Sequence, residues 1–197
     1  RFGEHAWLLQ QKVGYEEYCD YIGSGIDRLY RNRSGGLIWV EQTPAYSLIV
    51  DELALMFPTA RFLFIQRDGR KVNESMRRMW QWDVEKAAST WVKHNEHCLA
   101  LERDFPARVH RVVYEQMVDE PLEVFSRIAN FLRLPFEEQM TKYMAGQKPI
   151  NVSPGTETET GRQKLVLRQD DWPDDSADRF WNIAGPMMDE LGYKSQK

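Results

Sequence analysis

Two short apolar runs, each passing through a polar turn into a helix, constrain this 197-residue chain more than any other feature. Residues 37–75 read LIWVEQTPAYSLIVDELALMFPTARFLFIQRDGRKVNES. The first run, 37–40, ends on Glu41 and turns through Thr43 and Pro44. The second, 61–65, ends on Arg67 and turns through Asp68 and Gly69. Short, nearly continuous apolar runs that alternate with helices predict buried strands of a parallel sheet. Ligands of such sheets sit beyond the carboxyl ends of the strands. Glu41 and Arg67 both fall there, so one carboxylate and one guanidinium become the first candidates for a site.

The remaining pattern is mostly helical. Residues 1–11 and 15–31 are expected as helices, the second weakened by Gly23 and Gly25. Further helices are expected over 47–56, 71–82 and 87–104, and a third strand over 109–114. The clearest helix starts at Glu120-Pro121, where proline fits the first turn. Leu122, Phe125, Ile128, Ala129 and Leu132 mark its inward face. A short helix over 136–144 follows, then a polar loop over 146–161 rich in Thr, Gly and Pro, read as loop or lid. A last helix over 178–191 stops at Gly192.

The length suits one domain with a full core, and the alternation of strands and helices gives an α/β fold class. A net charge of −4 argues against a general nucleic-acid binder, while leaving room for a local basic site. The two cysteines, Cys19 and Cys98, fit no metal or redox spacing and favour a reduced compartment. No apolar run is long enough to span a membrane, and no signal peptide is visible. Cytoplasmic residence follows as the expectation, or the Golgi lumen in a eukaryote.

The stretch RDGRKVNES, residues 67–75, carries the most specific chemistry. A strand delivers Arg67 to the sheet edge, and the following helix points unpaired N–H groups at the same place. The Arg67 guanidinium is a planar fork suited to phosphate. Ser75, further along the helix, can reach the same anion. A structural reading, with Arg67 paired to a carboxylate and Ser75 bonded back to its helix, stands beside this one. Glu41 could act as a general base or merely cap a turn.

These pieces resemble a known family when taken together. Glu41-Gln42-Thr43-Pro44-Ala45-Tyr46 is similar to the EK[ST]PxY segment of sulfotransferases that use 3′-phosphoadenosine 5′-phosphosulfate. Residues 57–62 (FPTARF) and 65–68 (IQRD) resemble their FPxAKF…xRDP segment. Val113-Tyr114-Glu115-Gln116-Met117, Glu120-Pro121 and Phe131-Leu132-Arg133-Leu134 resemble their YEDL…P…FLGL region, and Leu191-Gly192-Tyr193 a common ending. The resemblance covers about residues 37–193.

It implies a three-layer α/β fold, a central parallel sheet flanked by helices, of the P-loop kinase-like type. It also implies roles. Arg67 and Ser75 would hold the donor's 3′-phosphate, Tyr114 would lie near adenine, and Glu41 would take the acceptor's proton. Gly161 and Arg162 would belong to a loop closing over the nucleotide phosphates, with Thr160 where lysine is usual. The product would be adenosine 3′,5′-bisphosphate, no metal would be needed, and the acceptor would be a carbohydrate, glycolipid or small metabolite carrying a hydroxyl or amine. Trp80, Trp82 and Trp91, with Met76 and Met79, would border the acceptor cleft or belong to the core.

Three departures stand out. Gln42 replaces the usual lysine, Gly69 replaces proline, and the loop that cradles the 5′-phosphosulfate is not visible. Arg33-Ser34-Gly35-Gly36 has similar letters but precedes a strand instead of following one. With Arg1 opening the chain in place of Met, residues 1–197 are read as one sulfotransferase-like domain without its N-terminal strand and phosphosulfate loop. The rivals are a nucleotide-dependent kinase, for which no GxxxxGK[ST] loop is present, and a domain of the same fold that binds nucleotide or protein without turnover.

Overall fold

The computed structural model describes residues 6–146, 172 and 175–194. The chain divides into two compact units, Arg1–Phe62 with Glu96–Arg108, and Leu63–Asn95 with Val109–Lys197. Among the described residues, no helix is long and apolar enough to cross a membrane.

The first unit holds helices α1 (Ala6–Gln11), α2 (Tyr15–Arg33) and α3 (Val50–Met56), with a 3₁₀ turn, Pro44–Ile49, leading into α3. The two glycines of α2 do not end it. Gly23 is buried, and a Cβ built on it would lie 1.8 Å from the Met56 carbonyl oxygen. Only glycine lets α2 and the end of α3 approach this closely. Arg108 closes the other side of α3. Its guanidinium donates to the carbonyls of Ala54, Phe57 and Ala60 at 2.7–3.3 Å, so it satisfies acceptors that the helix end leaves open.

The strand expected over 37–40 is absent. Residues 37–43 belong to no helix or strand. Leu37, Ile38 and Val40 are 72%, 69% and 83% exposed. Trp39 alone turns inward. Its indole N–H donates to Asp27 Oδ1 at 2.9 Å, and its ring stacks on Tyr30 at 4.8 Å and meets Phe57 edge-on at 5.4 Å. An apolar run becomes a strand only where a neighbour takes its N–H and C=O groups, and none of the described strands does so here. Glu41 therefore ends no strand.

The second unit contains the sheet. Strands β1 (Phe62–Gln66, its first residue in the other unit) and β2 (Val109–Val113) are parallel neighbours; β1 is shifted by one residue from the apolar run at 61–65, and β2 ends one residue before the expected 114. Helix α4 (Gly69–Trp80) follows β1, and α5 (Val84–Asp104) begins in this unit. After β2 come α6 (Tyr114–Asp119), α7 (Pro121–Leu132), α8 (Glu138–Gly146) and α9 (Ser176–Glu190). The fold class is α/β, as expected. Its core includes Phe64, Val84, Ala87, Ala88, Trp91, Val112, Phe180 and Met188.

Helix α7 turns only part of the expected face inward. Leu122 and Phe125 are exposed, whereas Val124 and Ala129 are buried. The helix carries two apolar stripes, and Val124, Ile128 and Phe131 form the second. Periodicity alone cannot choose between them. Gly192, at φ +83°, ends α9 as expected, with the Tyr193 N–H donating to Met188 O at 2.8 Å.

Gly23→Ala should destabilise the protein by on the order of 3 kcal/mol, since backbone and not a flexible side chain opposes the new methyl. Urea unfolding of the variant beside the parent protein measures this.

Candidate functional site

The site is built where β1 and β2 end. Arg67 directly follows β1, and Tyr114 opens α6 directly after β2. The sheet brings the two together, with the Arg67 guanidinium 4.4 Å from the centroid of the Tyr114 ring. That distance is a cation–π contact. Among the described residues Arg67 makes no hydrogen bond or ion pair, so the structural reading of Arg67 as a carboxylate's partner does not hold there.

The turn after Arg67 is fixed from three directions. Asp68 caps α4 by accepting the Arg70 backbone N–H at 2.9 Å. The same carboxylate takes the Arg70 side chain in a bidentate ion pair, with contacts of 2.6–3.2 Å, and this raises the Arg70 pKa. The Asp68 backbone N–H donates to Glu115 Oε1 at 3.0 Å, and Glu115 Oε2 accepts the Tyr193 hydroxyl at 2.9 Å. Burial first, and the Glu115 carboxylate after it, push the Tyr193 pKa up. Gln66, the last residue of β1, donates to Leu191 O at 2.9 Å. The end of the chain's last helix is thus tied to the turn.

The cap changes the expectation for α4. Its first N–H groups were expected to face an incoming anion; one of them, that of Arg70, is taken by the Asp68 carboxylate. Two side-chain donors lie further along, on one side of the helix. Lys71 and Ser75 are one turn apart and share a face. Neither makes a hydrogen bond among the described residues.

Lys71 keeps only 9% of its surface exposed. Burial lowers its pKa from the ordinary lysine value. Glu74 and Asp68 pull it back up, and Arg67 and Arg70 add a smaller downward push.

Gly69 explains one departure from the family pattern. A Cβ at this position would lie 2.9 Å from two atoms of the Trp91 indole and 3.0 Å from Met188 Sδ, so neither proline nor alanine fits. Trp91 is buried and belongs to the core. Trp80 is exposed, and its ring lies 4.8 Å from that of Trp82, over which Lys86 Nζ sits at 4.3 Å.

Glu41 belongs to the other unit. It is exposed and accepts the Thr43 hydroxyl at 2.8 Å. Gly161 and Arg162 lie outside the described residues, as does most of the loop over 146–161. Sequence reasoning passed over Lys71, Glu115, Tyr193 and the Asp68–Arg70 pair. The signals were present: Asp68 directly before a helix, Lys71 four residues from both Arg67 and Ser75, and Glu115 and Tyr193 within motifs already singled out.

Comparison with known proteins places the family and the fold. The model of a sulfotransferase family, Sulfotransfer_3, matches residues 7–138, so the chain belongs to the sulfotransferase family. A putative protein-tyrosine sulfotransferase of Caenorhabditis elegans is 28% identical over 145 residues, covering 70% of this chain and 56% of that protein. One of Caenorhabditis briggsae is 27% identical, covering 68% and 51%. The chain spans about half the length of these relatives. A solved sulfotransferase domain from the curacin biosynthetic pathway superposes with a TM-score of 0.58 at 18% identity. It covers 86% of this chain and 68% of that one, a likeness of fold.

Tyr193→Phe should cost about 1 kcal/mol by removing one of the two donors to Glu115, lowering the melting temperature by roughly 2–4 °C. Differential scanning calorimetry reads the change.

Proposed function

We propose that this chain transfers a sulfuryl group from 3′-phosphoadenosine 5′-phosphosulfate to a hydroxyl acceptor. The observation that carries the reading is Arg67 at the end of β1, without a hydrogen-bond partner among the described residues and 4.4 Å from the Tyr114 ring centroid. A guanidinium beside an aromatic ring suits a phosphate attached to a nucleoside. In this reading Arg67 and Ser75 bind the 3′-phosphate and Tyr114 borders the adenine. Gly161 and Arg162 take the loop role that the resemblance implies.

Glu41 is the general base. Its carboxylate takes the proton from the acceptor hydroxyl as the acceptor oxygen attacks sulfur. The bond between sulfur and the bridging oxygen of the 5′-phosphate breaks, and adenosine 3′,5′-bisphosphate departs with that oxygen. Most of the rate enhancement comes from positioning and from cationic groups around the phosphates. The two nematode relatives, named as putative protein-tyrosine sulfotransferases, favour a phenolic acceptor over the carbohydrate or small metabolite expected from sequence. The exposed Trp80 ring offers a flat apolar face to any of these.

Glu41→Gln should lower turnover by a factor of about 100 or more with donor binding unchanged. Transfer of labelled sulfate to a tyrosine-containing peptide and to a sugar panel measures this, and unchanged turnover removes Glu41 as the base. Arg67→Ala should weaken adenosine 3′,5′-bisphosphate at least about tenfold more than 5′-AMP. Equal losses in calorimetric titration would mean that Arg67 does not read the 3′-phosphate.

A further inference from the structure

One carboxylate spans the ends of both strands. The pairing of β1 with β2 stops at Gln66 and Val113, and Arg67 and Tyr114 are the first residues beyond it. From there the chain runs on differently, from β1 into the turn before α4 and from β2 directly into α6. Glu115 joins the two. It follows Tyr114, and its Oε1 accepts the Asp68 backbone N–H at 3.0 Å. Its Oε2 accepts the Tyr193 hydroxyl at 2.9 Å.

The first of these bonds acts at a telling place. The Asp68 N–H belongs to the peptide group whose carbonyl is that of Arg67. A peptide group is planar, so fixing its N–H fixes the direction in which the chain leaves Arg67. The Arg67 guanidinium in turn lies 4.4 Å from the centroid of the Tyr114 ring. The two side chains that meet are thus each one residue before the two that the hydrogen bond joins. Past the end of the strand pairing, a side chain takes over the cross-strand role of the backbone. A carboxylate acceptor makes such a bond stronger than a neutral carbonyl would.

Glu115 is held from its other side as well. Tyr193 belongs to the turn that ends α9, where its N–H donates to Met188 O at 2.8 Å and Leu191 O accepts the Gln66 side chain at 2.9 Å.

We propose that Glu115 is a positioning residue of the donor site. By holding the Asp68 N–H it sets the course of the backbone after Arg67, and so keeps the guanidinium at the Tyr114 ring, where it meets a 3′-phosphate. Glu115 acts through Arg67 and not on the nucleotide. This rests on the donor reading given above.

Calorimetric titration with adenosine 3′,5′-bisphosphate and with 5′-AMP tests it, on the parent protein, Glu115→Ala, Glu115→Gln, Arg67→Ala and the double variant of Arg67→Ala with Glu115→Ala. The quantity read is the preference, the ratio of the two dissociation constants. Glu115→Ala should lower the preference at least about fivefold. Glu115→Gln should keep most of it, because the amide oxygen still accepts the Asp68 N–H and the amide nitrogen can donate to the Tyr193 hydroxyl. Beside Arg67→Ala, Glu115→Ala should change the preference less than about twofold, since nothing is left to position. Lost stability alone would not separate the two nucleotides in this way. Should Glu115→Ala fail to fold, Glu115→Asp, with a stem one methylene too short to span both donors, takes its place in the same cycle.

An undiminished preference in Glu115→Ala, a loss of equal size with and without Arg67, or a loss as large in Glu115→Gln overturns the assignment of Glu115 and leaves the donor reading standing. A preference that survives Arg67→Ala removes the residue through which Glu115 acts and overturns it too. No preference for the bisphosphate in the parent protein overturns the donor reading itself, and this proposal with it.

Discussion

The contact between the Gly69 backbone and the Trp91 indole sets the geometry on which the rest of the second unit depends. Any side chain at residue 69 would enter space held by the Trp91 ring and Met188 Sδ, at about the distance where atoms must move. The first turn of α4 is therefore pressed onto α5 and α9. Asn73 adds to this from one turn further on. Its fully buried amide donates to Val84 O at 2.8 Å and anchors α4 to the start of α5. With Gly69 and Asn73 committed inward, the helix period places Lys71 and Ser75 on another side. The orientation of these two side chains is thus a consequence of packing on the opposite side of the same helix.

The electrostatics of the turn complement that geometry. A helix N-terminus attracts anions, but here the chain supplies its own in Asp68, neutralised in turn by Arg70. The self-cap stabilises α4 without ligand. Glu115, on the helix that follows β2, accepts one backbone N–H and one tyrosine hydroxyl, so this carboxylate is occupied by neutral donors and does not pair with Arg67.

Much of this was legible in the letters. The strand–turn–helix around Arg67, the helix from Pro121 and the stop at Gly192 follow from local rules about apolar runs, proline and glycine. Arg67 and Tyr114 were singled out from motif order, and the ends of β1 and β2 bring those two side chains together. The errors have a common physical origin, since each depends on what lies opposite. Residues 37–40 have the composition of a strand, yet pairing is a property of two segments, and composition reports on one. Helix α7 has two apolar stripes, and only β2 and its neighbours determine which is covered.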